Sequence, residues 1–144
     1  MDLPEDFEHL LGRGSQRPIP GVKFVAELEG VREVSLTGSA DLDYWRRQLA
    51  PEGLVPLERE GRAQMLIVAA DAKFRGLRFQ EMSFSVLAAR ADAQGRQGAF
   101  LVQAFNSRRF FAFCERWWFK TPYGHGQVTV SIYPPASLRL TTGD

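Results

Sequence analysis

The chain has 144 residues, the size of one domain. Apolar residues make up 44% of it, enough for a core, and 18 basic against 17 acidic side chains leave a net charge of +1. That balance gives no general pull toward nucleic acid or an anionic membrane. The single cysteine, Cys114, excludes an internal disulfide and a cysteine metal site.

The opening MDLPEDFEHLLGRG is acidic and has no basic flank before an apolar core, so it does not read as a signal peptide. Residues 1–20 carry Pro4, Gly12, Gly14, Pro18 and Pro20. They read as a lead-in with a short helix over 5–11, followed by a single domain over 21–144. Alternation predicts a first strand over 22–28, a tight turn at Glu29-Gly30 and a second strand over 32–38. In that second strand Arg32 shares the face of Val34 and Leu36, a local inconsistency of the kind found at strand ends or sites.

Ser39 is placed to cap a helix in which Leu42, Trp45 and Leu49 fall on one face. Pro51 and Gly53 end it near Ala50. Residues 63–70 are apolar on both faces, as in a strand covered on both sides. KFRGLR, 73–78, is a basic connection centred on Gly76. Residues 79–90 alternate clearly, with Met82, Phe84 and Val86 on one face and Phe79, Glu81, Ser83 and Ser85 on the other. A polar hairpin loop over 91–98 leads to a return strand over 99–105.

Ser107 is a second candidate cap, for a helix over RRFFAFCER that buries Phe110, Phe113 and Cys114. Residues 116–120 read as extended, Pro122 and Gly124 as a turn, and 127–133 and 137–141 as strands. Six or seven strands joined mostly by hairpins predict a mainly β fold, an antiparallel sheet or barrel with a few short helices.

Phosphate-binding loops and the nucleophile elbow are missing from the sequence. His9 and His125 lie far apart and suggest no zinc spacing, so neither a metal nor a cofactor is expected. No apolar run approaches the roughly 20 residues of a membrane span. The expectation is a cytoplasmic protein that engages neither membrane nor nucleic acid.

Three residues stand out: Arg32 on an apolar face, Glu81 beside two serines, and Lys120 at the end of CERWWFK. An amine nucleophile must be neutral, so its pKa must fall from about 10.4 toward neutrality. Apolar burial and a nearby cation both push it that way. In an extended segment Trp118 and Arg116 share the face of Lys120 and supply both. Such a lysine forms a Schiff base with a ketone, which then acts as an electron sink for decarboxylation. A carboxylate such as Glu81 and an arginine such as Arg32 would orient the substrate.

VREVSLTGSADLDYWRRQLAPEGLVPL, GLRFQEMSFSV and CERWWFKTPYG together resemble the acetoacetate decarboxylase-like superfamily over residues 24 to about 131. Arg32-Glu33 falls on the family's Arg-Glu pair. Glu81 falls on its active-site glutamate, with Phe79 in place of a tyrosine. Glu115, Trp117 and Phe119 match the Arg-Glu-x-Trp-Gly-[Phe/Tyr]-Pro-Lys segment that carries the Schiff-base lysine. Lys120 lies one residue before that lysine, and Thr121 replaces the lysine that follows it. Lys120-Thr-Pro-Tyr also resembles a branch of the superfamily whose Pro-Tyr turn carries no reactive lysine.

The resemblance implies a closed or partly closed β-barrel with an interior cavity, large enough for one small ligand. It implies Lys120, Glu81 and Arg32 as catalytic residues, with Trp118 and Phe79 against the ligand, a small organic acid. Three functions stay open. The first is a Schiff-base decarboxylase of β-keto acids. The second is a non-catalytic ligand-binding barrel. The third is an interaction module that forms a homo-oligomer through open sheet edges.

Overall fold

A computed structural model describes residues 27–91 and 97–143. The predicted helix over 5–11 and all but the end of the predicted strand over 22–28 lie outside them. The described chain is mainly β. Strand β1 spans Glu29–Asp41 and helix α1 Leu42–Leu49, followed by a 3-10 turn over Ala50–Glu52. Strands β2, Leu54–Pro56, and β3, Glu58–Arg59, are short. The long strands are β4, Arg62–Phe74, β5, Leu77–Arg90, and β6, Gln97–Asn106. Helix α2, Arg109–Trp117, leads to β7, Tyr123–His125, β8, Gln127–Ser131, and β9, Ser137–Thr141.

Seven strands form one sheet whose main path is β1-β4-β5-β6-β7, with β2 beside β5 and β3 beside β4. The β4–β5 hairpin is tight because Arg75 and Gly76 both take positive φ, 49° and 80°, which suits the right-handed twist of its strands. Strands β6 and β7 run parallel, so β6, α2 and β7 form a crossover unit within an otherwise antiparallel sheet. The hairpin-only connectivity expected from sequence fails at this point.

The expected closure into a barrel is not found among the described residues. The sheet path ends at β1 on one side and at the three-residue β7 on the other. The next strands, β8 and β9, pair with each other instead of extending it. They pack on one face of the sheet, where Val128, Val130, Leu138 and Leu140 meet Ala69, Met82, Phe84 and Phe105. Further along the same face, Leu49 and Trp45 of α1 cover Met65, Val86 and Phe100. Side chains such as Leu49, Met82 and Val86 are fully buried, each worth roughly 2 kcal/mol of apolar transfer.

Local signals explain several boundaries. Asp41, not Ser39, caps α1, accepting from the Tyr44 amide at 2.6 Å. Ser39 stays in β1 and accepts from Arg62 Nε at 2.9 Å. Gly53 closes the 3-10 turn in the left-handed region, φ 66°. No side chain caps α2, because Ser107 Oγ instead accepts from the Gln80 amide at 2.8 Å. The predicted face of α2 is also wrong. Phe110 and Phe113 are exposed, Ala112 is buried, and Phe111 reaches inward to Phe79 and Phe74 at ring distances of 5.2 and 6.1 Å.

Candidate functional site

Strand register sorts the predicted residues onto two faces. Cross-strand partners in a sheet share a face. One row runs Arg32–Asp71–Gln80 and the next runs Glu33–Ala70–Glu81–Asn106–His125. Arg32 and Glu81 therefore project from opposite faces. Arg32 lies on the face that carries the β8–β9 hairpin, and Glu81 on the face beneath α2.

Arg32 has a structural partner. Its Nη2 donates to Asp71 Oδ2 at 2.7 Å. Arg78 binds the same carboxylate through two nitrogens, Nε at 2.7 Å and Nη2 in a short contact. Asp71 is buried, and the Arg78 hydrogen bond, with the charges of Arg78 and Arg32, holds its pKa below the usual carboxylate value despite burial. Sequence reasoning missed Asp71. The signal was an aspartate inside the apolar run MLIVAADA.

Lys120 does not lie on a strand. The segment read as extended is helical through Trp117, with Trp118 as its C-cap. Lys120 follows in the left-handed region, φ 57°, where the chain turns out of the helix toward β7. Its side chain is exposed and its Nζ lies 5.6 Å from the centre of the Trp117 ring. Trp118 is also exposed, and Phe79 is buried beneath Phe111. Among the described residues Lys120 makes no ion pair with Glu81.

The polar cluster around Glu81 is built by α2, β6 and β7. Asn106, buried in β6, donates from Nδ2 to Glu81 Oε2 at 3.3 Å and accepts the Arg108 amide on Oδ1 at 2.9 Å. Tyr123, two residues back along β7 from the partner of Asn106, brings its phenol into hydrogen-bonding contact with Glu81. Glu115 of α2 stands behind them. Its Oε2 and its backbone carbonyl both accept from Thr121 Oγ1, at 3.0 and 2.8 Å.

Burial first, then the Glu115 charge, raise the Glu81 pKa, and the Asn106 and Tyr123 contacts partly offset the rise. Burial and the two glutamates push the Tyr123 phenol far above its ordinary value. The cluster is therefore a carboxyl with a strengthened hold on its proton beside a phenol that stays protonated. It can donate and accept hydrogen bonds in a partly dry setting. Tyr123, Asn106 and Glu115 were not singled out as site residues from sequence. Glu115 is half-buried in a helix whose other charged residues, Arg109 and Arg116, are exposed.

Among the described residues no group of histidine, cysteine, aspartate and glutamate is arranged to hold a metal ion, and no helix is long and apolar enough to cross a membrane. No family model, curated protein or solved structure matches the chain.

Proposed function

We propose that this chain binds a small organic ligand in the manner of an acetoacetate decarboxylase-like protein that works without a Schiff-base lysine. Its site is centred on the Glu81 carboxyl and the Tyr123 phenol. The observation that carries this reading is the exchange of partners at Glu81: Tyr123 reaches it, while the Lys120 amine sits exposed on Trp117. In the family segment the reactive lysine follows a proline directly, and here the residue after Pro122 is Tyr123. The resemblance and the geometry thus favour the branch with a Pro-Tyr turn.

The chemistry follows from protonation. The Tyr123 hydroxyl donates to Glu81, so the pair offers a ligand its remaining oxygens as acceptors, and one donor once Glu81 holds a proton, suited to a hydroxyl or neutral acid group. With Glu115 behind them, a fully ionised carboxylate is disfavoured at this point. The exposed Lys120 amine lies against Trp117 and is not among the described groups that contact Glu81.

The test pairs a thermal-shift panel of small keto acids, hydroxy acids and amides with borohydride trapping. A hit is expected to keep its shift in Lys120→Ala and lose it in Glu81→Gln and Tyr123→Phe, with no mass adduct on Lys120. A trapped keto-acid adduct on Lys120 would overturn the proposal in favour of Schiff-base decarboxylation.

A second reading, self-association, is favoured by a separate observation. Phe110, Phe113, Trp117, Trp118 and Phe119 are all exposed along α2 and its end, and β1 is a 13-residue edge strand. Light scattering that gives a dimer, dissolved by Phe113→Ser with Trp117→Ser, would support it. A monomer at all concentrations would remove it.

A further inference from the structure

At the end of the sheet, beside the β6–α2 connection, lies an open groove of about 350 Å³ lined by Arg78, Phe79, Gln80, Ser107 and Arg108. The lining contains two guanidinium groups and no acid. The carboxylate paired with its lining is Asp71, and that group is already shared between Arg78 and Arg32. Three guanidinium groups thus stand against one carboxylate, leaving a local surplus of positive charge in a chain whose net charge is only +1.

The groove is held in shape by the backbone. The Gln80 amide donates to Ser107 Oγ and the Ser107 amide donates to the Gln80 carbonyl, both at 2.8 Å. Arg108 is fixed at two points. Its amide donates to Asn106 Oδ1 at 2.9 Å, and its Nε donates to the Arg78 carbonyl, also at 2.9 Å. Tethering Nε leaves the two terminal amino groups of Arg108 without an ion-pair partner among the described residues. Arg78 is held more fully, with both Nε and Nη2 on Asp71, which fixes its plane and leaves Nη1 for the groove as a second, weaker contact. A pinned guanidinium loses little further entropy on binding, and its fork matches the spacing of carboxylate or phosphate oxygens.

The geometry points to an oxyanion-binding site in this groove, with Arg108 as the principal contact, Arg78 as the second cation and Gln80 and Ser107 as the polar floor. It takes the carboxylate or phosphate group of a small anion. The site does not share its lining residues with the Glu81–Tyr123 cluster, to which Asn106 joins it, and does not depend on the function proposed for that cluster.

The experiment is a two-dimensional NMR titration of the full chain with inorganic phosphate and, separately, with citrate, against sodium chloride at matched ionic strength. Saturable shifts of the Gln80, Ser107 and Arg108 amides are expected by about 20 mM anion, weakening as salt is added. Binding of phosphate alone assigns a phosphate ligand, and binding of citrate alone assigns a carboxylate ligand. Arg108→Ala is expected to weaken binding about tenfold, the scale of one charge-assisted contact. Arg108→Lys, which keeps the charge without the fork, should fall between. Arg47→Ala, an exposed arginine on α1, should leave binding unchanged. An absence of saturable shifts overturns the proposal, as does an equal loss in Arg47→Ala and Arg108→Ala.

Discussion

Replacing Asn106 by aspartate keeps its shape and changes one donor into an acceptor. In the native chain Asn106 Nδ2 stands 3.3 Å from Glu81 Oε2 and Oδ1 accepts the Arg108 amide. Asn106→Asp retains the second bond, and while both carboxyls are protonated its Oδ2–H can take over the first, so the cost at low pH is below about 1 kcal/mol. At higher pH a second carboxylate faces Glu81 at the same 3.3 Å, with Glu115 nearby. At an effective dielectric of about 20 that repulsion is about 5 kcal/mol if both groups ionise. Proton retention by the pair caps it, so the total loss near neutrality is about 3–4 kcal/mol. The sign follows from linkage. The folded variant binds more protons than the unfolded chain between the ordinary carboxyl pKa and the raised native one, so stability falls as pH rises through that window. Urea denaturation of both proteins at half-unit steps from pH 4 to pH 8 measures the difference. A destabilisation flat to within about 0.5 kcal/mol would refute the close contact of Asn106 with a buried Glu81.

Tyr123→Phe removes a contact that lowers the Glu81 pKa, so the carboxyl should titrate at higher pH, read by carbon-13 NMR of its side chain. Asp71→Asn should flatten acid unfolding. The wild-type aspartate contributes stability above the ordinary carboxyl pKa and loses it as pH falls through its depressed native value, a difference visible in acid titration by circular dichroism. Leu49→Ala opens a cavity against Val86, Ala88 and Trp45 and should cost about 3 kcal/mol in chemical denaturation. Lys120→Gly relieves a left-handed backbone at φ 57° and should raise stability by about 0.5–1 kcal/mol after loss of the Trp117 contact, measured by thermal melting.

Much of the sheet was legible because one face of each strand is covered. Met82, Phe84 and Val86 alternate in sequence and lie together in the two buried clusters. The same alternation in β8 puts Val128 and Val130 inward. Pro51 and Gly53 stop α1 where their backbone preferences require. The region around α2 was misread for one physical reason, the assumption that aromatic side chains point inward. Phe110 and Phe113 are exposed and Cys114 is only half-buried, so the face read as buried turns mostly outward. Asp71 and its arginines were not legible as a set, because Arg32 lies 39 positions away and only strand pairing joins them. The βαβ connection was hidden too. A three-residue strand such as β7 has no periodicity to detect.

The misread helix also decides the chemistry open to Glu81. In a strand, Lys120 would have had an even chance of facing the glutamate, since each residue alternates sides. A helix through Trp117 followed by a left-handed turn spends residues 118–122 on reversing the chain. The first residue to re-enter the sheet is Tyr123, and parallel pairing sets it opposite Ala104, two residues before Asn106. That places a phenol beside Glu81 and leaves the amine outside on the tryptophan. Asn106 then links this cluster to the arginine groove, because its amide touches Glu81 on one side and the Arg108 backbone on the other. An oxyanion held by Arg108 would pull on the same amide that contacts the Glu81 carboxyl. Phosphate or citrate in the groove should therefore move the Glu81 titration in wild type and leave it in place in Arg108→Ala, and a Glu81 pKa indifferent to saturating anion would separate the two sites.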